Sequence, residues 1–112
     1  LFASGSAELD PQFVPLIQRI GDALKDVQGN VVVAGHTDNQ RVFSARFPSN
    51  WHLSQARAGA VRDMLAARAG TPGRFTAEGR GDTEPNVPND SPANRAKNRR
   101  VDITILAPGA AS

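Results

Sequence analysis

Cysteine is absent from this chain of 112 residues. Disulfides and thiolate-bound zinc are thereby excluded, while an oxidising and a reducing compartment both remain compatible. Tyrosine is also missing, tryptophan occurs once and phenylalanine five times, so the aromatic platforms on which single-stranded nucleic acids stack are thinly supplied. No apolar stretch approaches the roughly 20 residues of a bilayer-spanning helix; the longest aliphatic run is Val31-Val32-Val33-Ala34. Lysine is scarce: of 13 basic residues only Lys25 and Lys97 are lysine, the rest being arginine. The net charge is only +2, and the arginines are scattered rather than gathered in a run. Arginine suits planar anions such as carboxylates and phosphates, because its fork donates two parallel hydrogen bonds.

A length of 112 residues with 39% hydrophobic content closes one core and not two. Residues 1–106 read as one domain, and residues 107–112 have the composition of a frayed tail. Residue 1 is Leu rather than Met, and Leu1-Phe2-Ala3 already reads as part of a strand. The chain therefore reads as a portion of something longer, with any signal or membrane anchor upstream.

Asp10-Pro11 supplies an N-cap followed by proline in the first turn of a helix. Val14, Leu16, Ile17, Ile20, Leu24 and Val27 approximate its apolar stripe, Asp22 falls on its polar side, and Gly29-Asn30 stops it. The β-branched run at Val31 predicts a central strand, and residues 36–52 an irregular loop of the length that is usually functional or disordered. A second helix is expected over residues 54–69, N-capped by Ser54, with Leu53, Ala56, Ala60, Val61, Met64 and Leu65 on one side and Gly70 at its end. A strand at Phe75-Thr76-Ala77-Glu78, a loop over residues 79–91, a short helical turn capped by Ser91, and a strand over residues 99–106 complete the chain. The order βαβαβ(α)β predicts an α/β fold, an α+β sandwich with a mixed four-stranded sheet and helices packed on one face.

Arg57 is the anomaly in this pattern. At about 100° per residue it falls between Leu53 and Val61, inside the apolar arc. With Ser54 as N-cap it also sits in the first turn, where free amides already carry partial positive charge. Two readings are open: the stem lies over the core and the head reaches a structural carboxylate, or helix end and guanidinium together receive a ligand carboxylate. Asp38, in the loop leaving the central strand, is read either as an Asx turn or as the acid that takes a ligand ammonium while Arg57 takes a carboxylate. On the ligand reading, Arg57 is poorly compensated in the empty protein, and Arg57→Met leaves the melting temperature unchanged or higher.

Gly35-His36-Thr37-Asp38-Asn39, then Asn50-Trp51-His52-Leu53-Ser54-Gln55-Ala56-Arg57-Ala58, then Asn94-Arg95-Ala96-Lys97-Asn98-Arg99-Arg100-Val101 resemble, in order and spacing, the motifs of the OmpA-like peptidoglycan-binding domain. The resemblance covers essentially the whole chain. It implies a non-enzymatic module, without cofactor, that holds the meso-diaminopimelate of the peptidoglycan stem peptide through Asp38 and Arg57. Thr37, Asn50 and Leu53 would line the pocket, with Arg99 near it. It further implies a periplasmic domain of an inner-membrane-anchored protein, touching the membrane only through that anchor and serving an envelope secretion or motor complex. The longer loop containing Arg46-Phe47-Pro48-Ser49-Asn50-Trp51 is similar to two branches of the family, the type VI secretion anchor TssL and the flagellar stator protein MotB. The second motif and Arg74-Phe75-Thr76-Ala77-Glu78-Gly79-Arg80 look more like the TssL extensions. Gln40-Arg41-Val42 stands where both branches usually carry a proline-containing segment.

Two rival readings come from the residues. A metal-assisted cell-wall hydrolase would use His36, Asp38 and His52, a weak ligand set without a helical His-x-x-x-His pair. A nucleic-acid module would use Arg95, Lys97, Arg99 and Arg100, but Arg99 and Arg100 are neighbours on a strand and point to opposite faces.

Overall fold

The computed structural model describes residues 1–107; the tail expected over residues 107–112 lies, apart from Ala107, outside the described residues. The central strand β1 (Val31–Gly35) runs parallel to β2 (Phe75–Gly79) and antiparallel to β3 (Val101–Ile105), in the order β2-β1-β3. Helices α1 (Val14–Leu24) and α2 (Asn50–Ala69) pack against this sheet, and α3 (Pro92–Asn98) leads into β3. Val31 and Val33 are wholly buried with Phe75, Ile17, Leu24, Val61 and Leu65, while Thr76 and Thr104 on the opposite face are exposed. The expected two-layer architecture with its mixed sheet is present.

The sheet has three strands rather than four. Residues 1–9 fold back on themselves through a single antiparallel bridge, Phe2 to Leu9, with the Ser6 amide donating to the Ala3 carbonyl at 3.1 Å around Gly5 at φ 71. A ladder needs free carbonyls, and three here are taken by arginine: Phe2 O by Arg99, Ala3 O and Ser6 O by Arg57. Side-chain donors from α2 and from the end of α3 thus replace the neighbouring strand as the partner of this segment.

Asp10 caps as expected, its carboxylate accepting from the Gln12 amide at 3.1 Å, and a 3-10 turn at Pro11–Phe13 precedes α1. That helix ends at Leu24, earlier than the Gly29-Asn30 stop. Arg74 explains the early end, its guanidinium donating to the carbonyls of Leu24, Val27 and Gly29 and so satisfying the frayed turn from outside. Leu16 and Val27 lie outside the buried stripe, at 50% and 39% exposure.

Helix α2 begins four residues before the expected start, since Ser49 rather than Ser54 is the N-cap, its hydroxyl accepting from the His52 amide at 3.4 Å. It closes on Gly70 in the left-handed conformation at φ 76. Ser54 lies inside the helix, donating to the Trp51 carbonyl and accepting from the Gly81 amide. Glycines let this helix lie close on the sheet: a Cβ on Gly35 would stand 2.1 Å from the Ser54 carbonyl oxygen, and one on Gly79 2.7 Å from its hydroxyl. That contact fixes α2 beside the carboxyl end of β1, where residues 36–38 leave the sheet.

Candidate functional site

Gly35 hands the chain to His36-Thr37-Asp38, all buried. Their course is set by main-chain bonds, from the His36 amide to the Arg100 carbonyl and from the Thr37 amide to the Gly81 carbonyl, each 2.9 Å. The Thr37 hydroxyl donates to the Asp38 carbonyl at 2.9 Å. Asp38 does two things at once: Oδ1 accepts from the Gln40 amide at 3.0 Å, which is the Asx turn, and Oδ2 accepts from Arg99 Nη1 at 2.8 Å. Its ion-pair partner is therefore Arg99 and not Arg57. The sequence motif placed Arg99 only near the site; in three dimensions it joins Asp38 to the Phe2 carbonyl, to which its Nε donates at 2.9 Å.

Arg57 is 0% exposed. It lies near the end of the second turn of α2, because the helix starts at Asn50, so no free helix amides stand beside it and the first-turn expectation is corrected. Its Nε donates to Ser6 O at 2.8 Å, Nη1 to His36 O at 3.1 Å and Nη2 to Ala3 O at 3.0 Å. The carbon of the guanidinium stands 5.1 Å from the centroid of the Phe2 ring, a cation–π contact. The expectation of a poorly compensated charge is therefore also corrected, and in the empty protein this arginine is structural. Burial pulls its pKa down to about 10, repulsion from Arg99 adds to that, and Asp38 opposes it.

Leu53, one turn before Arg57 in α2, is 1% exposed. Asn50, at the start of the helix, donates through Nδ2 to the Gln40 carbonyl at 3.2 Å, leaving its Oδ1 buried without a partner. Gln40 also accepts from the Ser4 hydroxyl at 3.2 Å, so the long loop ties the N-terminal turn to α2. The six predicted residues Thr37, Asp38, Asn50, Leu53, Arg57 and Arg99 thus belong to one end of the sheet, yet most of them are covered. A cavity of about 470 Å³ shares only Asn50 with them, and a groove of about 430 Å³ between residues 5–8 and 44–47 shares none, though Ser6 both lines it and accepts from Arg57. Sequence reasoning missed the turn over Arg57, for which Ser4-Gly5-Ser6 was the available signal.

The rival sets take separate partners. His36 Nε2 lies 3.0 Å from Asp102 Oδ2, too poorly aligned to count as a hydrogen bond, and burial first and Arg100 second lower its pKa against the pull of Asp102. His52 is exposed, its Nδ1 2.7 Å from the Ser49 hydroxyl. No group of three His, Cys, Asp or Glu side chains able to hold a metal occurs among the described residues. Arg99 turns to Asp38 and Phe2, whereas Arg100 turns to Asp102 and Glu84, so the two are divided, although β3 begins only at Val101 and both precede the strand expected to hold them.

The chain belongs to the OmpA family, which its residues 1–99 match. Among its relatives, "Motility protein B" of Bacillus subtilis is 38% identical over 112 residues, covering 98% of this chain and 43% of that protein. "Peptidoglycan-binding protein ArfA" of Mycobacterium tuberculosis is 34% identical, covering 93% of this chain and 31% of the relative. The chain thus spans less than half of either. Among solved structures, the cell wall anchor of the type VI secretion system of Pseudomonas aeruginosa is 57% identical with a TM-score of 0.86, covering 96% of this chain and 75% of that one. The C-terminal domain of Helicobacter pylori MotB is 27% identical with a TM-score of 0.87, covering 97% and 83%.

Proposed function

We propose that this domain binds peptidoglycan without cleaving it, gripping the zwitterionic end of diaminopimelate in the stem peptide and anchoring an envelope complex of the type VI secretion kind to the cell wall. The observation that carries the reading is a convergence: Arg99 Nη1 lies 2.8 Å from Asp38 Oδ2, and Arg57 Nη1 lies 3.1 Å from the carbonyl of His36, two residues before Asp38. Two arginines and one aspartate at this end of the sheet carry a net positive charge, which a ligand carboxylate can neutralise. The donors exist, since Arg57 uses three of its five N–H groups and Arg99 two. Asp38 has accepted two hydrogen bonds of about four possible, and its spare lone pairs suit the ligand ammonium. Family membership and the 57% identity to a secretion-system cell wall anchor support this assignment. A stator anchor of the MotB type is the second reading, favoured by the 38% identity to the Bacillus subtilis protein. Either assembly places the domain in the periplasm. No helix among the described residues is long and apolar enough to cross a membrane, so attachment would come from elsewhere in the whole protein.

The test is co-sedimentation with purified sacculi. Wild type should pellet with diaminopimelate-type sacculi, release no soluble muropeptides, and pellet far less with lysine-type sacculi. Asp38→Ala should stay in solution, whereas Asp22→Ala, which removes only the surface pair with Arg68, should pellet like wild type. Equal binding to both wall types would remove diaminopimelate from the reading, and muropeptide release would remove the claim that the wall is left intact.

A further inference from the structure

We propose that the turn at residues 3–6 is an internal latch on the ligand site, holding Arg57 with its own carbonyls until a ligand carboxylate takes their place; this rests on the site assignment just given. Arg57 has no exposed surface, so no ligand reaches its guanidinium while the chain stays as it is. Two of the three carbonyls bound to it, Ala3 O and Ser6 O, belong to the turn, and the third, His36 O, to the site floor. The turn ends are anchored, with Phe2 buried beneath Arg57 and Leu9 bridged to it. Its tip is lightly held: Ala3, Ser4 and Gly5 are exposed, and apart from Arg57 the turn is held by the Ser6 amide on Ala3 O, the Glu8 amide on the Ser6 hydroxyl and the Ser4 hydroxyl on Gln40. A ligand carboxylate brings Arg57 a full negative charge and a bidentate geometry, which the neutral carbonyls lack. Exchange of partners on Arg57 is therefore favourable, and it opens the tip around the fixed ends.

A closed majority state lowers apparent affinity by the fraction that is open. Gly5 gives a selective handle on that fraction. It sits at φ 71, and a Cβ there meets nothing within 4 Å, so Gly5→Ala strains the closed backbone without touching the site. Titration calorimetry with a stem tripeptide containing meso-diaminopimelate should give binding roughly fivefold tighter for Gly5→Ala than for wild type. Hydrogen exchange on wild type should show the Ser6 amide, bonded to Ala3 O, exchanging faster when the tripeptide is added, while the Asp10 amide, bonded to Leu1 O, is unchanged. If Gly5→Ala binds no tighter, or the Ser6 amide slows, the turn is a fixed wall of the site and the latch is overturned while the site assignment stands. If neither protein binds the tripeptide, the site assignment falls and the latch with it.

Discussion

Arg99 takes the Asp38 carboxylate at the end of the central strand, and Arg57 owes its burial to carbonyls rather than to that acid. The opposing terms for Arg57→Met are of similar size. Removing the charge relieves a desolvation cost reflected in the fall of the pKa from 12.5 to about 10, on the order of 3 kcal/mol. Against that, the carbonyls of Ser6 and His36 lose their donor, while Ala3 O keeps the Ser6 amide, at about 1–3 kcal/mol for each acceptor that stays buried. The acceptors win, and Arg57→Met should destabilise the empty domain by about 2 kcal/mol in urea unfolding. A midpoint equal to or above that of wild type would mean that these carbonyls find water instead. A stability loss does not by itself exclude a ligand role, because Arg57 holds carbonyls in the empty domain with donors that a ligand carboxylate could also use.

Helix α2 has to lie unusually close to the sheet for Arg57 to reach beneath the N-terminal turn. Gly35 and Gly79 permit that approach, and Ser54 exploits it by gripping Gly81, whose carbonyl holds Thr37. Gly35→Ala would drive a Cβ to 2.1 Å from the backbone oxygen of Ser54; neither a strand nor a helix interior moves aside cheaply, and overpacking of this kind costs about 1–3 kcal/mol or more. We expect a melting temperature lower by several degrees together with loss of sacculus binding. Gly73→Ala, whose Cβ meets nothing within 4 Å, should leave both unchanged. If Gly35→Ala melted like wild type, the helix would be free to shift and the close contact would not be what positions the site.

Taken as a whole, the molecule carries a buried histidine whose protonation opposes folding. Burial and Arg100 lower the His36 pKa below its ordinary 6.5, with Asp102 and Glu84 pulling the other way and Arg80 adding to Arg100. The unfolded chain therefore takes up a proton first as pH falls, so His36 adds no penalty above about pH 6.5 and an increasing one below it, levelling off once the folded protein protonates too. Thermal melts from about pH 7.5 to pH 5 should fall more steeply for wild type than for His36→Gln. Parallel curves would show that Asp102, 3.0 Å from Nε2, compensates the charge fully.

The residues and their spacing were enough to determine the two-layer fold, the central position of Val31-Val32-Val33-Ala34, the caps at Asp10, Ser91 and Gly70, and the family. These follow from local physics: hydrophobic period, β-branching, capping chemistry, and motifs whose spacing is kept. Only the tertiary structure decided who partners whom. Ser49 caps α2 in place of Ser54, and the difference moves Arg57 away from the helix end. Leu1-Phe2-Ala3 reads as part of a strand, but Arg57 and Arg99, some 51 and 97 residues away from their acceptors Ser6 and Phe2, take the carbonyls that a fourth strand would use. Arg74 ends α1 from 45 residues beyond Gly29. In the last two cases a long-range guanidinium satisfies main-chain acceptors that local rules assign to regular structure, and such donors are invisible until the chain has folded.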